Sequence, residues 1–363
     1  MGKNQGLKSI MAVVLGLIAG AILMLVMGYD PIIAYENLFK GGLSSLDKIG
    51  KTIAFATPLM LTGLSVAFAF RTGLFNIGTP GQMLIGGFVA SVIGLKVSLP
   101  SYLLLPLMIL AGMAAGALCG AIPGILKAKF NVHEVVSSIM MNWIVLYFTQ
   151  YTIQGHFKGG TEDVSKKLSD SATLRADWLT NLFGGTDGLS MGIFLALIAA
   201  LVIWFILNKT TLGYELKAVG FNKFGAEYAG MSVNKNVVVS MMIAGALAGL
   251  AGVTKYAGFS DCIVTGVMPP EGFNGIAVAL LGANTPIGVI LSALFFGILS
   301  AGKGAMAVWA NVPEELASTI MATIIYFAAT SAVVPMIVKK IKAKKAIRNA
   351  EVNSKINNNK EDK

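Results

Sequence analysis

Ten times along this chain, a long apolar run ends in a polar or Gly/Pro-containing break. The runs cover residues 10–27, 53–70, 75–94, 102–125, 134–154, 191–207, 237–256, 262–283, 287–301 and 316–338. A helix rises about 1.5 Å per residue, so about 20 apolar residues cross the hydrocarbon of a bilayer. Backbone in lipid must satisfy its own hydrogen bonds, which makes each run a helix. Composition closes the other options. Only 13% of the 363 residues are charged, about half the share of a soluble domain. The mean hydropathy is +0.73. Such a chain cannot cover a soluble surface, so soluble, disordered and nucleic-acid-binding readings fall away despite a net charge of +10. The expected fold is an all-α polytopic membrane protein of about ten segments, some short or broken, over residues 1–338.

The first run is too long for a secretory leader, and Gly28-Tyr29-Asp30-Pro31 offers no small-x-small cleavage site. It reads as a retained helix. With the N-terminus inside and ten crossings, 18 of the 28 lysines and arginines fall on the cytoplasmic side. That bias is the expected one. It puts the polar stretch 155–190 outside and the polar stretch 208–236 inside. Residues 339–363 are basic and rich in Asn and Lys, which predicts a disordered tail along the inner membrane surface.

Several familiar motifs fail on their own chemistry. Residues 297–304 approach a phosphate-binding loop, but Gly304 stands where a hydroxyl must hold magnesium. His133-Glu134 opens like a zinc-protease helix, but Ser137 replaces the second histidine. His133 and His156 are predicted on opposite sides of the membrane. Cys119 and Cys262 sit in apolar runs and form no disulfide framework. No catalytic constellation and no metal or cofactor site emerges, so the chain reads as non-catalytic. Glycines recur every fourth residue at Gly112, Gly116, Gly120 and Gly124, and again at Gly16/Gly20 and Gly245/Gly249. Such stripes let helices approach closely in lipid, within one chain or between two.

Polar chemistry inside the membrane is concentrated in two interrupted segments, 71–82 and 266–275. Both carry Gly, Pro and amides, and each leads into a Gly/Ala-rich run. Interruptions at matching places in two halves point to a pathway on a pseudo-symmetric frame. The candidate lining residues are Phe75, Asn76, Gln82, Asn142, Glu271, Phe273 and Asn274. Other roles stay open for three of them. Asn76 can be a helix cap, Glu271 a residue near the outer surface, and Asn142 a bond to a neighbouring helix. Glu134 fits a helix-start carboxylate beside Lys127 and Lys129.

The most specific stretch is 210–231, TTLGYELKAVGFNKFGAEYAGM. Gly213, Gly220 and Gly230 punctuate short amphipathic pieces, which predicts a small structured platform. Leu212, Gly213, Ala218, Val219, Gly220, Asn222, Ala226, Tyr228, Ala229, Gly230 and Met231 match a pattern shared by certain transport proteins. On these residues the stretch resembles the coupling region of ABC-transporter permeases of the branched-chain amino acid, ribose and nucleoside importer group. Glu227 stands where that pattern has a second alanine. Residues 57–82, with Phe75-Asn76-Ile77-Gly78 and Gly81-Gln82, look like the larger permease of nucleoside importers served by a basic-membrane-protein lipoprotein. Thr79-Pro80 replaces that group's usual Ala-Glu. Residues 132–143 resemble the same group, and the likeness runs from about residue 52 to 338.

The resemblance implies a type II ABC importer subunit in a prokaryotic cytoplasmic membrane. It implies a second related permease, a surface substrate-binding lipoprotein, and a cytoplasmic ATPase that carries the ATP and magnesium. The coupling candidates are Gly213, Glu215, Gly220, Asn222, Ala226, Tyr228, Ala229 and Gly230. Nucleosides are the expected substrates. A simple-sugar permease is the alternative within the class, and an ion-coupled carrier the alternative outside it. A carrier usually keeps ionisable groups deep in its spans. Here Glu134, Lys255 and Glu271 are predicted near span ends, which weighs against it.

Overall fold

A computed structural model describes residues 3–161 and 163–330. The basic tail at 339–363 and the end of the last predicted run lie outside the described residues. The helices are α1 (Lys3–Val26), α2 (Pro31–Leu43), α3 (Leu46–Arg71), α4 (Thr79–Lys96), α5 (Ser101–Phe130), α6 (Glu134–Thr152) and α7 (Asp177–Leu182). They continue with α8 (Gly192–Lys209), α9 (Thr211–Phe221), α10 (Lys223–Tyr228), α11 (Val233–Thr254), α12 (Pro270–Leu281), α13 (Pro286–Trp309) and α14 (Glu314–Thr330). Every predicted apolar run contains a helix. Among the described residues, six helices are long and apolar enough to cross a membrane. The eighth run keeps only α12, of 12 residues.

Sequence reasoning passed over α2. Its start is defined by local chemistry, because Asp30 accepts from the Ile32 and Ile33 amides and Pro31 takes the first helical position. Its last turn then presses on α13, where a Cβ on Gly302 would overlap the Leu38 carbonyl oxygen. On another face of α13, a Cβ on Gly297 would lie 2.6 Å from the Thr52 oxygen of α3. The glycines that imitate a phosphate loop are therefore packing glycines.

α3 and α11 form the axis, with 83% and 72% of their apolar windows buried against 22% for α1. Ser65 Oγ donates to the Ala244 oxygen at 2.7 Å, and the Thr72 and Ser240 hydroxyls meet at 2.8 Å. The glycine stripes pack within the chain. A Cβ on Gly116 would overlap the Gly245 oxygen, and one on Gly245 would overlap the Gly116 oxygen. Gly112 meets Gly86, and Gly249 meets Gly112. α4, α5 and α11 thus touch backbone to backbone, the contact that supplies packing where water supplies no hydrophobic drive.

The two polar stretches sit at opposite ends of α11. At its start, Asn236 Nδ2 donates to Glu215 of α9 at 2.8 Å. Just past its end, the Leu174 amide donates to the Ala257 oxygen at 2.6 Å. Twenty-two helical residues separate these ends by about 33 Å, a full hydrocarbon thickness. The stretch 155–190 is woven onto the segment after α11. Arg175 pairs with Asp261 at 3.0 Å and donates to the Gly258 and Phe259 oxygens.

Candidate functional site

The two interrupted segments meet. α4 begins with Thr79-Pro80 and α12 with Pro270, and a Cβ on Gly272 would lie 2.5 Å from Pro80 Cα. Thr62, well inside α3, donates its hydroxyl to the Glu271 oxygen at 3.0 Å. Two helix N-termini therefore converge inside the bundle, each started by proline where a missing N–H costs nothing.

The first segment uses its polar groups internally. Asn76 Nδ2 donates to Gln82 Oε1 at 2.9 Å, and Gln82 Nε2 donates to Asn76 Oδ1 at 3.2 Å. Asn76 Oδ1 also accepts from the Gly78 amide. Asn142 on α6 completes the set. Its Oδ1 accepts from the Gly81 amide at 2.9 Å, and its Nδ2 donates to the Ile77 oxygen at 3.0 Å. Asn76, Gln82 and Asn142 are 0%, 0% and 3% exposed. In this conformation they hold the unwound strand rather than line a conduit, because buried amides take the nearest partners that satisfy them. Phe75 stacks on Phe70 with centroids 5.2 Å apart.

The second segment is built differently. α11 ends in a wider turn, Lys255–Phe259, and the Lys255 ammonium lies 2.6 Å from Glu271 Oε2. Their side chains are 14% and 19% exposed. Glu271 is thus a partly buried residue at the α12 start, held against the segment just past the end of α11. Phe273 is 46% exposed and Asn274 half-buried. The pairing of Lys255 with Glu271 escaped sequence reasoning. The two lie 16 residues apart, across a loop, and no helical or strand spacing signals such a pair.

At the far end of α11 stand α9 and α10. Thr210 caps α9 by accepting from the Gly213 amide, and Asn222 caps α10 by accepting from Phe224 and Gly225. Gly213 lets α9 turn tightly against α8, where a Cβ would overlap the Ile206 oxygen. Gly220 does the same against the Arg71 oxygen of α3. Leu216 and Ala226 point inward, at 0% and 4% exposure. Tyr214, Phe221, Phe224 and Tyr228 point outward, at 67%, 83%, 70% and 97%. The knob is rigidly seated and bare on its outer face. Gly213 and Ala226 therefore support the knob from within and are not themselves presented. Tyr214, Phe221 and Phe224 belong to the outer face and were missed as candidates. The signal was available: aromatic side chains in a polar stretch between spans.

The family described as the branched-chain amino acid transport system permease component matches residues 49–329. The chain belongs to this permease family. The permease is 46% identical over 343 residues to the guanosine ABC transporter permease protein NupP of Bacillus subtilis, covering 94% of this chain and 97% of NupP. It is 40% identical to the nucleoside ABC transporter permease protein NupB of Lactococcus lactis, over 94% of this chain and 95% of NupB. It is 34% identical to the glucose ABC transporter permease protein TsgB13 of Haloferax volcanii, over 89% of this chain and 86% of TsgB13.

Two further residues of the permease find structural roles. His133 caps α6 by accepting from the Val135 amide. Glu134 pairs with Lys127 at 3.0 Å, pinning the end of α5 to the start of α6.

Proposed function

We propose that the permease is the membrane-spanning, non-catalytic subunit of an ATP-driven importer of nucleosides in a prokaryotic cytoplasmic membrane. Ten helical segments thread the bilayer with both termini inside, which puts α9 and α10 in the cytoplasm and 155–190 outside. The observation that carries the reading is the seated knob with its bare aromatic face. An exposed cluster of this kind outside the lipid layer fits a protein partner. That partner is a separate ATPase holding ATP and magnesium. Phe221, Phe224 and Tyr228 enter its groove, with Glu215, Asn222, Ala229 and Gly230 at the rim and Gly220 holding the knob against α3.

The conduit lies along the exposed side of the α12 start. A second, related permease supplies the facing wall, and a surface lipoprotein delivers substrate above it. Phe273 offers a ring for transient stacking on a base. Glu271 and Asn274 offer groups for its edge or for the ribose. Binding there stays weak, because a conduit must also release. Nucleosides are favoured over sugars because the two relatives of higher identity are named for them.

Uptake of labelled guanosine and glucose into vesicles bearing the assembled transporter tests the reading. ATP-dependent guanosine uptake, insensitive to a proton ionophore, is expected. Uptake that follows a proton gradient and ignores ATP overturns it. ATP-driven uptake of glucose alone transfers the permease to the sugar reading.

A further inference from the structure

A cationic crevice of about 340 Å³ opens between the ends of α3, α8, α9 and α13, lined by Arg71, Trp204, Asn208, Lys217, Pro286 and Ile287 among others. Lys217 donates to the Leu207 oxygen and to Asn208 Oδ1. Arg71 Nε donates to the Asn284 oxygen at 3.0 Å. Among the described residues, no carboxylate pairs with either cation. Burial, and then Arg71, hold the Lys217 ammonium below the usual lysine range. Two like charges therefore face one crevice, a costly arrangement unless an anion enters it. The N-terminus of the 24-residue α13 also opens there, and its first-turn residues Pro286 and Ile287 form part of the wall. A helix start adds positive potential to what the side chains already supply.

An apolar groove of about 580 Å³ adjoins it on the other side of the α13 start, and Thr285 lines both. Its walls are Ile10, Val13 and Val14 of α1 and Leu291 and Phe295 of α13. Ile10 and Leu291 are 63% and 64% exposed. Trp204 and Ile287 stand at the crevice with 40% and 66% exposure, an amphipathic rim of the kind found at a membrane–water boundary.

We propose that this pair of cavities holds one anionic phospholipid, its phosphate between Arg71 and Lys217 and an acyl chain in the groove between α1 and α13. A free phosphate would satisfy the two cations equally well. The adjoining apolar groove is what favours a phosphate carried on a lipid. The site rests on the reading that the α9 end of the bundle emerges at the inner membrane surface, where anionic headgroups lie.

Delipidated full-length protein titrated with dioleoyl phosphatidylglycerol or dioleoyl phosphatidylcholine, and read by native mass spectrometry, tests the proposal. Phosphatidylglycerol adducts should dominate. Arg71→Gln and Lys217→Gln should each weaken them about fivefold, the weight of one basic residue near an anionic surface. Lys217→Arg should retain them. Asn208→Asp, which puts a carboxylate at the crevice, should lose them even if Arg71→Gln fails to fold. Equal binding of the two lipids, or adducts unchanged in Lys217→Gln and Asn208→Asp, overturns the proposal. Inorganic phosphate that binds the protein as tightly as phosphatidylglycerol and displaces it also overturns it, by assigning the crevice to a soluble anion. Labelling of a cysteine at Asn222 from outside intact cells is a separate result. It would refute the cytoplasmic placement of α9 while leaving the lipid titration readable.

Discussion

The junction at the start of α4 and the knob of α9 and α10 are both short, polar, glycine-punctuated breaks between apolar helices, yet they spend their side chains in opposite ways. At the junction, Asn76, Gln82 and Asn142 bond to one another or to backbone and are sealed from solvent. At the knob, glycines and inward apolar groups seat the helices, and four aromatic side chains are left bare. A group already used inside the fold is unavailable to anything outside it. The junction should therefore answer to mutation in stability, and the knob in transport.

The sharpest way to break that contrast is at the knob. Phe224→Ser with Tyr228→Ser should reduce ATP-driven guanosine uptake to background and uncouple ATP hydrolysis from substrate. The melting temperature of the detergent-solubilised protein should stay within about 1 °C, because both positions are exposed. A matching fall in melting temperature would mean that the rings hold the fold together.

Asn142→Leu should show the opposite pattern. It removes both bonds to the α4 start and leaves the Gly81 amide and the Ile77 carbonyl buried without partners. The expected loss is about 2–4 kcal/mol of stability, seen in thermal unfolding and in the amount of protein inserted. Unchanged stability with altered substrate preference would return Asn142 to the conduit wall. Ala226→Arg sharpens the comparison from within the knob. At 4% exposure it should cost stability by overpacking, about 1–3 kcal/mol, before any partner is engaged.

The second junction lies between the extremes, because Lys255 and Glu271 are paired but not sealed. Glu271→Gln leaves an ammonium without its counter-charge and should cost about 1–3 kcal/mol, less than for a fully buried pair. The exchanged pair, Lys255→Glu with Glu271→Lys, should recover part of that stability in a double-mutant cycle. If guanosine uptake returns with it, the pair is a clasp. If uptake stays low, the carboxylate at position 271 faces substrate.

The smallest effect expected is from single cysteines at Ser169 and Asn222, both exposed. The Ser169 cysteine should leave uptake intact, the Asn222 cysteine should still insert although it loses the α10 cap, and the two should react with impermeant maleimide from opposite sides of the membrane. Reaction of both from outside would refute the ten-crossing arrangement.

Apolar runs alone determined that this protein is a bundle of membrane helices and where nearly all of them lie, because hydrocarbon leaves the backbone no alternative partner. The spacing of Gly112, Gly116 and Gly120 announced close helix contact, and the pieces between Gly213 and Gly230 announced a structured platform. Which helix each stripe met was decided only in three dimensions. Spacing places glycines on a face but does not say what covers that face. The division of Asn76, Gln82 and Asn142 from Glu271, Phe273 and Asn274 was likewise tertiary. An amide in an apolar run must bond to something, and the sequence does not say whether a neighbour or a substrate is nearer. The Lys255–Glu271 pair and α2 were hidden for related reasons. A pair across a loop has no period, and a short helix held by one aspartate cap and a glycine contact has little apolar signal of its own.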